Sequence, residues 1–261
     1  MNPKTKKVAL LRSGATTTLA FRAVARNLPL LLLTQGVVVL ALGIYGHVAE
    51  TPRPPADLPG ILAALPSVLL FAAIPLLGGA LASALGFVAA AAIISGKAIT
   101  MAETWRGALR AYWRVLGVFA CIAIPTGILG WAAMRLYEDR ALFPFPWGIL
   151  GVLTGLLLVI LLSLHWTLAV PDAIQERKGT PFGHLGRSSR MTKGHRGALA
   201  GFYVLAGGAV TLVALLLMLP FLPYTIVQPI VSSIMNIAFT LVITIGIAAA
   251  YRALAAVDEP S

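Results

Sequence analysis

The stretch Ile61–Ser95, ILAALPSVLLFAAIPLLGGALASALGFVAAAAIIS, decides how this chain folds. It is uncharged throughout. About 20 apolar residues in a helix cross the roughly 30 Å of bilayer hydrocarbon. The stretch is too long for one straight span, and two spans made from it would each be short. Two spans would also reverse the side of every later connector. The basic connectors would then face outward, against the rule that Lys and Arg collect on the cytoplasmic side. One long, broken helix keeps the parity, entering the membrane at about residue 67 and ending at about 95. Pro66, Pro75 and the Gly78-Gly79 pair are its natural kink points.

Five further apolar runs surround it, at about 28–48, 115–134, 147–170, 198–219 and 230–250. With the amino terminus placed in the cytoplasm, 17 of the 20 basic residues fall on inner segments. Only Arg53, Arg135 and Arg140 fall outside. Such asymmetry sets the orientation of a bacterial-type inner membrane protein, here with both termini cytoplasmic.

Composition agrees. The chain is 59% hydrophobic and 11% charged, with mean hydropathy +0.89. A soluble domain carries roughly 25% charged residues. The expected fold is all-α: a six-span transmembrane helical bundle with basic interfacial helices on the cytoplasmic side, one integral membrane domain over residues 1–261. The net charge of +11 lies beside the spans, which points to anionic lipid headgroups rather than nucleic acid. The single cysteine, Cys121, excludes an internal disulfide and a CxxC metal site. The first apolar run, from Leu28, is too long for the core of a cleaved signal and is expected to remain as span 1.

Two inner connectors read as surface helices. Thr100 and Glu103 have capping-box spacing. Met101, Trp105, Leu109, Tyr112 and Leu116 then recur at helical spacing, with Arg106, Arg110 and Arg114 on a separate stripe. An apolar, aromatic face beside a basic one suits anionic lipid. In the second connector Thr180-Pro181 reads as an N-cap followed by an N1 proline, and Gly194 as a helix stop. Arg22-x3-Arg26 before span 1 and Arg110-x3-Arg114 before span 3 lie 88 residues apart. A third basic helix precedes span 5, so the chain reads as three units of a basic helix and a two-span hairpin. The plainer reading is that any inner surface helix needs basic residues.

Charge in lipid is costly, so ionisable residues inside spans are functional suspects. No Asp, Glu, Lys or Arg lies mid-span. His165, with Ser163 and Thr167 near it, is open to proton relay, haem ligation or helix–helix hydrogen bonding. A bis-His haem would need a second intramembrane histidine, and His47 sits at the opposite face. Structural hydrogen bonding is the favoured role, and no cofactor is expected. Asn236 reads as an interhelical hydrogen bonder. Small-xxx-small pairs such as Ala82/Gly86 and Gly79/Ser83 permit close helix packing, although Ala and Gly are frequent enough to produce the pattern by chance.

The longest inner connector, Pro171 to Arg196, carries Asp172, Glu176 and six basic residues. Arg187, Arg190, Lys193 and Arg196, like Arg106, Arg110 and Arg114, are candidate contacts for lipid, another anion or a partner. The plainer reading is ordinary positive-inside charge. The loop has no GxxxxGK[ST] phosphate motif. Glu176 is expected to pair with Arg187 or Arg190 and pin the loop to the bundle.

The same loop carries a resemblance. Pro171-Asp-Ala-Ile-Gln-Glu176-Arg-Lys-Gly179-Thr-Pro181 is followed by Leu185-Gly-Arg187-Ser188-Ser-Arg190-Met-Thr-Lys193-Gly194-His-Arg196. It resembles the membrane-domain family found fused to some bacterial glycerophosphoryl diester phosphodiesterases, and that family's stand-alone relatives. His184-Leu185-Gly186 departs from the usual Ala-Leu before Arg-Ser. The resemblance implies the membrane architecture. It does not carry phosphodiesterase activity, because no catalytic domain is present. The expected role is a non-catalytic accessory or scaffold protein, working through helix packing, anionic lipid and a membrane-protein partner or second copy of itself. The alternative is a transporter or lipid-handling protein.

Overall fold

The computed structural model describes residues 13–49, 58–138, 147–176, 179–218 and 227–258. Every described element is a helix. The chain opens with α1 (Ser13–Arg26) and continues through α2 (Leu28–Leu31), a π-helical turn (Leu32–Gly36) and α3 (Val37–Val48). Then come α4 (Leu58–Ile94), α5 (Met101–Glu138), α6 (Trp147–Trp166), α7 (Ala169–Gln175), α8 (Pro181–Thr192), α9 (Arg196–Met218) and α10 (Val227–Asp258). Six helices are long and apolar enough to cross a membrane.

Residues 61–94 lie within a single helix, α4, which runs through Pro66, Pro75 and Gly78-Gly79 where a break was expected, and Ser95 follows its end. Its C-terminal half is lined with small side chains: Ala80, Ala82, Ala84, Ala89 and Ala90 are all buried. Without bulky side chains, backbones approach closely. Gly78 meets Leu42 of α3, Gly79 meets Phe119 of α5, and Gly86 meets Gln35 of the π turn. The small-residue pairs are thus contact points for three different neighbours. The other central element is the C-terminal half of α10, where Leu241, Ile245 and Tyr251 are fully buried. It packs on α1, α4 and α9.

Three boundaries differ from the sequence reading. Residues 101–114 and the span at 115–134 are one continuous helix of 38 residues. Nothing between them breaks a helix, and the Thr100–Glu103 box forms reciprocally: Glu103 N–H donates to Thr100 Oγ1 at 3.2 Å, and Thr100 N–H to Glu103 Oε2 at 2.8 Å. A helix of that length rises about 57 Å, well beyond the hydrocarbon thickness. The basic residues therefore sit on the extension of a span rather than on a separate surface helix.

The second difference is at Pro171. It does not end span 4, because α6 stops at Trp166 and Pro171 lies in the first turn of α7. A first turn tolerates proline, since its N–H would have no intrahelical partner there. The third is α10, which runs eight residues past the expected end of span 6 and carries Tyr251 and Arg252 beyond it. Of the expected outer turns, residues 50–57, 139–146 and 219–226 lie outside the described residues, while Pro59 already belongs to α4.

Candidate functional site

The polar chemistry concentrates where α7, α8 and the end of α10 meet. Helix α8 begins as its sequence requires. Thr180 accepts from the Gly183 N–H at 3.2 Å, and Pro181 occupies the first position. It ends before Gly194, whose φ of +85° a side chain would resist. The buried face of α8 carries His184, Leu185, Ser188 and Met191. That face meets protein, while Phe182, 75% exposed, and Arg190 lie on the exposed side of α8.

Asp172, on α7, is 1% exposed. Its Oδ2 lies 2.7 Å from His184 Nδ1, and its Oδ1 accepts from the Tyr251 hydroxyl at 3.0 Å. Arg187 Nε stands 3.4 Å from the same Oδ1. A buried carboxylate needs such partners, because removing its hydration is expensive. The imidazole Nε2 of His184 is buried without a hydrogen-bond partner. Gly179 closes over that ring, and a Cβ there would come within 2.9 Å of Nε2.

Of the two arginines considered for Glu176, Arg187 makes the pair, Nη1 to Oε1 at 2.9 Å. Burial works to lower the Arg187 pKa. The Glu176 hydrogen bond and the Asp172 charge outweigh it, and the net direction is upward. Arg114 adds a bond from Nη1 to the Glu176 carbonyl at 3.4 Å. Arg187 thus bridges the rim to the buried carboxylate.

Ser188 serves another purpose. The break between α6 and α7 leaves backbone groups that a helix would have paired. The Ser188 hydroxyl donates to the His165 carbonyl at 2.8 Å and accepts from the Leu168 N–H at 3.1 Å. A third link joins Thr167 Oγ1 and the Tyr203 hydroxyl at 3.1 Å.

The other candidates scatter. His165 turns Nδ1 onto the Leu161 carbonyl of its own helix, 2.8 Å away. Asn236 is exposed and forms no interhelical bond among the described residues. The interhelical amide is instead Gln35, 1% exposed, whose Nε2 donates to Thr244 Oγ1 at 2.9 Å. Gln35 had no flag in the sequence, because a lone Gln inside an apolar run gives no sign of the helix it meets. The π turn directs it toward Gly86, where a Cβ would overlap the amide. Arg106 and Arg110 are exposed beside Leu109 and Trp113, the latter 76% exposed. Lys193 is exposed, and Arg196 is half-buried with Nε unpaired.

Six of the described arginines cap a helix, line a groove or pair with an acid. Arg252 Nη1 donates to the Ile94 carbonyl at 2.7 Å, capping α4. Arg22 and Arg26 face Ile93 across a groove, and Arg110 and Arg114 face Val88 and Ile174 across another. Arg187 completes the set. No group of three or more His, Cys, Asp or Glu poised for a metal exists among the described residues. No family model matches the chain, and neither a curated protein nor a solved structure matches it.

Proposed function

We propose that this chain is a non-catalytic accessory or scaffold protein of a bacterial-type inner membrane, with both termini in the cytoplasm. The observation that carries the reading is the use of the polar groups at the inner end. Asp172, His184, Tyr251, Arg187, Glu176 and Ser188 bond to one another or to backbone, and so hold α7, α8 and α10 in one arrangement. Groups spent this way make a rigid platform. A hydrolase needs acid, base and nucleophile converging on space for a substrate.

The exposed Leu109 and Trp113 beside Arg106 and Arg110 suit an anionic leaflet. That 17 of the 20 basic residues fall on alternate segments supports the cytoplasmic assignment of the termini. The loop's resemblance to phosphodiesterase-linked membrane domains points to the same architecture. A lipid-handling role is the second reading, favoured by the two arginine-lined grooves that open between helices.

Purification in mild detergent, with identification of co-purifying proteins, tests the accessory role. A stoichiometric membrane-protein partner is expected. A chain that purifies alone while moving labelled lipid between leaflets would replace this reading with the second. Reporter fusions test the orientation: positions 57, 140 and 224 should read outside, and positions 106 and 190 inside. An outside signal at 190 overturns it.

A further inference from the structure

We propose that the two grooves flanking the inner half of α4 are phosphate sites, each taking one phosphate mono- or diester through a pair of arginines. The proposal rests on the inner-leaflet reading above and deepens it to particular residues. The first groove, about 620 Å³, lies between α1 and α4, with Arg22 and Arg26 on one side and Leu19 and Ile93 forming an apolar wall. The second, about 480 Å³, lies between α4, α5 and α7, with Arg110 and Arg114 facing Val88 and Ile174.

Both pairs are spaced i, i+4, so each presents two guanidinium groups on one helix face. Planar forks at that separation can hold the oxygens of one phosphate in bidentate fashion. Unoccupied, the paired like charges repel, and an anion removes that cost. Neither groove has an Asp or Glu in its lining among the described residues. Glu176 lies next to the second, and its carboxylate is committed to Arg187 at 2.9 Å. Arg114 bonds the neutral Glu176 carbonyl, which orients the guanidinium without cancelling its charge. On the third basic helix Arg187 is instead drawn to Asp172 and Glu176. The 88-residue echo between Arg22/Arg26 and Arg110/Arg114 is thus matched by two like grooves against one helix. The apolar walls favour a phospholipid over a free ion, since a lipid adds glycerol and acyl carbon beside its phosphate.

The test uses the full chain in nanodiscs containing phosphatidylglycerol and phosphatidylcholine, with retained lipid counted by native mass spectrometry. The variants are R22Q/R26Q, R110Q/R114Q and K97Q, the last an exposed lysine outside both grooves. Each double variant should lose one retained phosphatidylglycerol and bind it at least tenfold more weakly, while K97Q matches the wild type. R110K/R114K, which keeps charge but loses the fork, should fall between and covers failure of the glutamine pair to fold. Inorganic phosphate at millimolar concentration should not displace the lipid. Displacement would support the phosphate site but assign it to a soluble phosphate. Equal retention in both double variants, or equal loss in K97Q, overturns the groove sites and leaves the leaflet reading standing. A wild type that retains phosphatidylglycerol no better than phosphatidylcholine counts against the leaflet reading itself.

Discussion

The Tyr251 hydroxyl donates to Asp172 Oδ1 across 3.0 Å, joining the C-terminal end of α10 to α7 over 79 residues of chain. The bond lies near the end of the candidate span Val231–Ala255. With His184 on the other carboxylate oxygen, α7, α8 and α10 share one charge.

Asp172→Ala should destabilise the fold by about 3–5 kcal/mol, the usual cost of removing one member of a buried charged network. Asp172→Asn keeps the shape and should cost less. Tyr251→Phe should cost about 1–3 kcal/mol. Thermal unfolding in detergent measures all three. The Asp172→Ala, Tyr251→Phe double variant should be less damaging than the two singles added, because both remove the same bond.

Ser188→Ala leaves the His165 carbonyl and the Leu168 N–H without their partner. Each orphaned buried group costs about 1–3 kcal/mol. Amide exchange should quicken across 165–170 while the middle of α10 stays protected. Uniform protection across the α6–α7 break would remove Ser188 from this role.

Gly86→Ala should be harmful because its methyl would occupy the place of the Gln35 amide. Overpacking of this kind costs about 1–3 kcal/mol. Gln35→Ala in the same chain should restore part of the loss by vacating that space. If the double variant is no more stable than Gly86→Ala alone, the two residues do not compete for one volume.

Glu176 and Arg187 form a pair near the solvent, where an ion pair is worth about 0–1 kcal/mol. Glu176→Ala should therefore change stability by less than about 1 kcal/mol, and added salt should shrink the effect further. Arg187→Ala should cost more, because Arg187 also stands beside the buried Asp172. Equal small effects for both would reduce Arg187 to a rim residue.

The helical class, the assignment of 61–94 to one helix rather than two, though not its continuity, the caps at Thr100 and Thr180 and the stop at Gly194 were legible in the sequence. Each is a local matter: an apolar run longer than a bilayer, a hydroxyl three residues before an N–H, a glycine where φ turns positive. Charge asymmetry was legible too, because it needs only counting along the chain. The pairing of Glu176 with an arginine could be anticipated because Arg187 lies only a helical segment away. Choosing between Arg187 and Arg190 required knowing which face of α8 turns toward α7.

What the tertiary structure alone decided is which polar residues meet. Asp172 looked like one acid in a basic loop until the fold brought Tyr251 against it from the far end of the chain. Gln35 found Thr244 across 209 residues, while Asn236, the more conspicuous amide, turned outward. The basic stretch 101–114 joined the following span because helix propagates unless something stops it, and hydropathy does not mark that continuity. Sequence determined the architecture, since lipid leaves backbone polar groups only their own helix for partners. It could not determine the site, because side-chain bonds between helices depend on rotation and register, which packing settles.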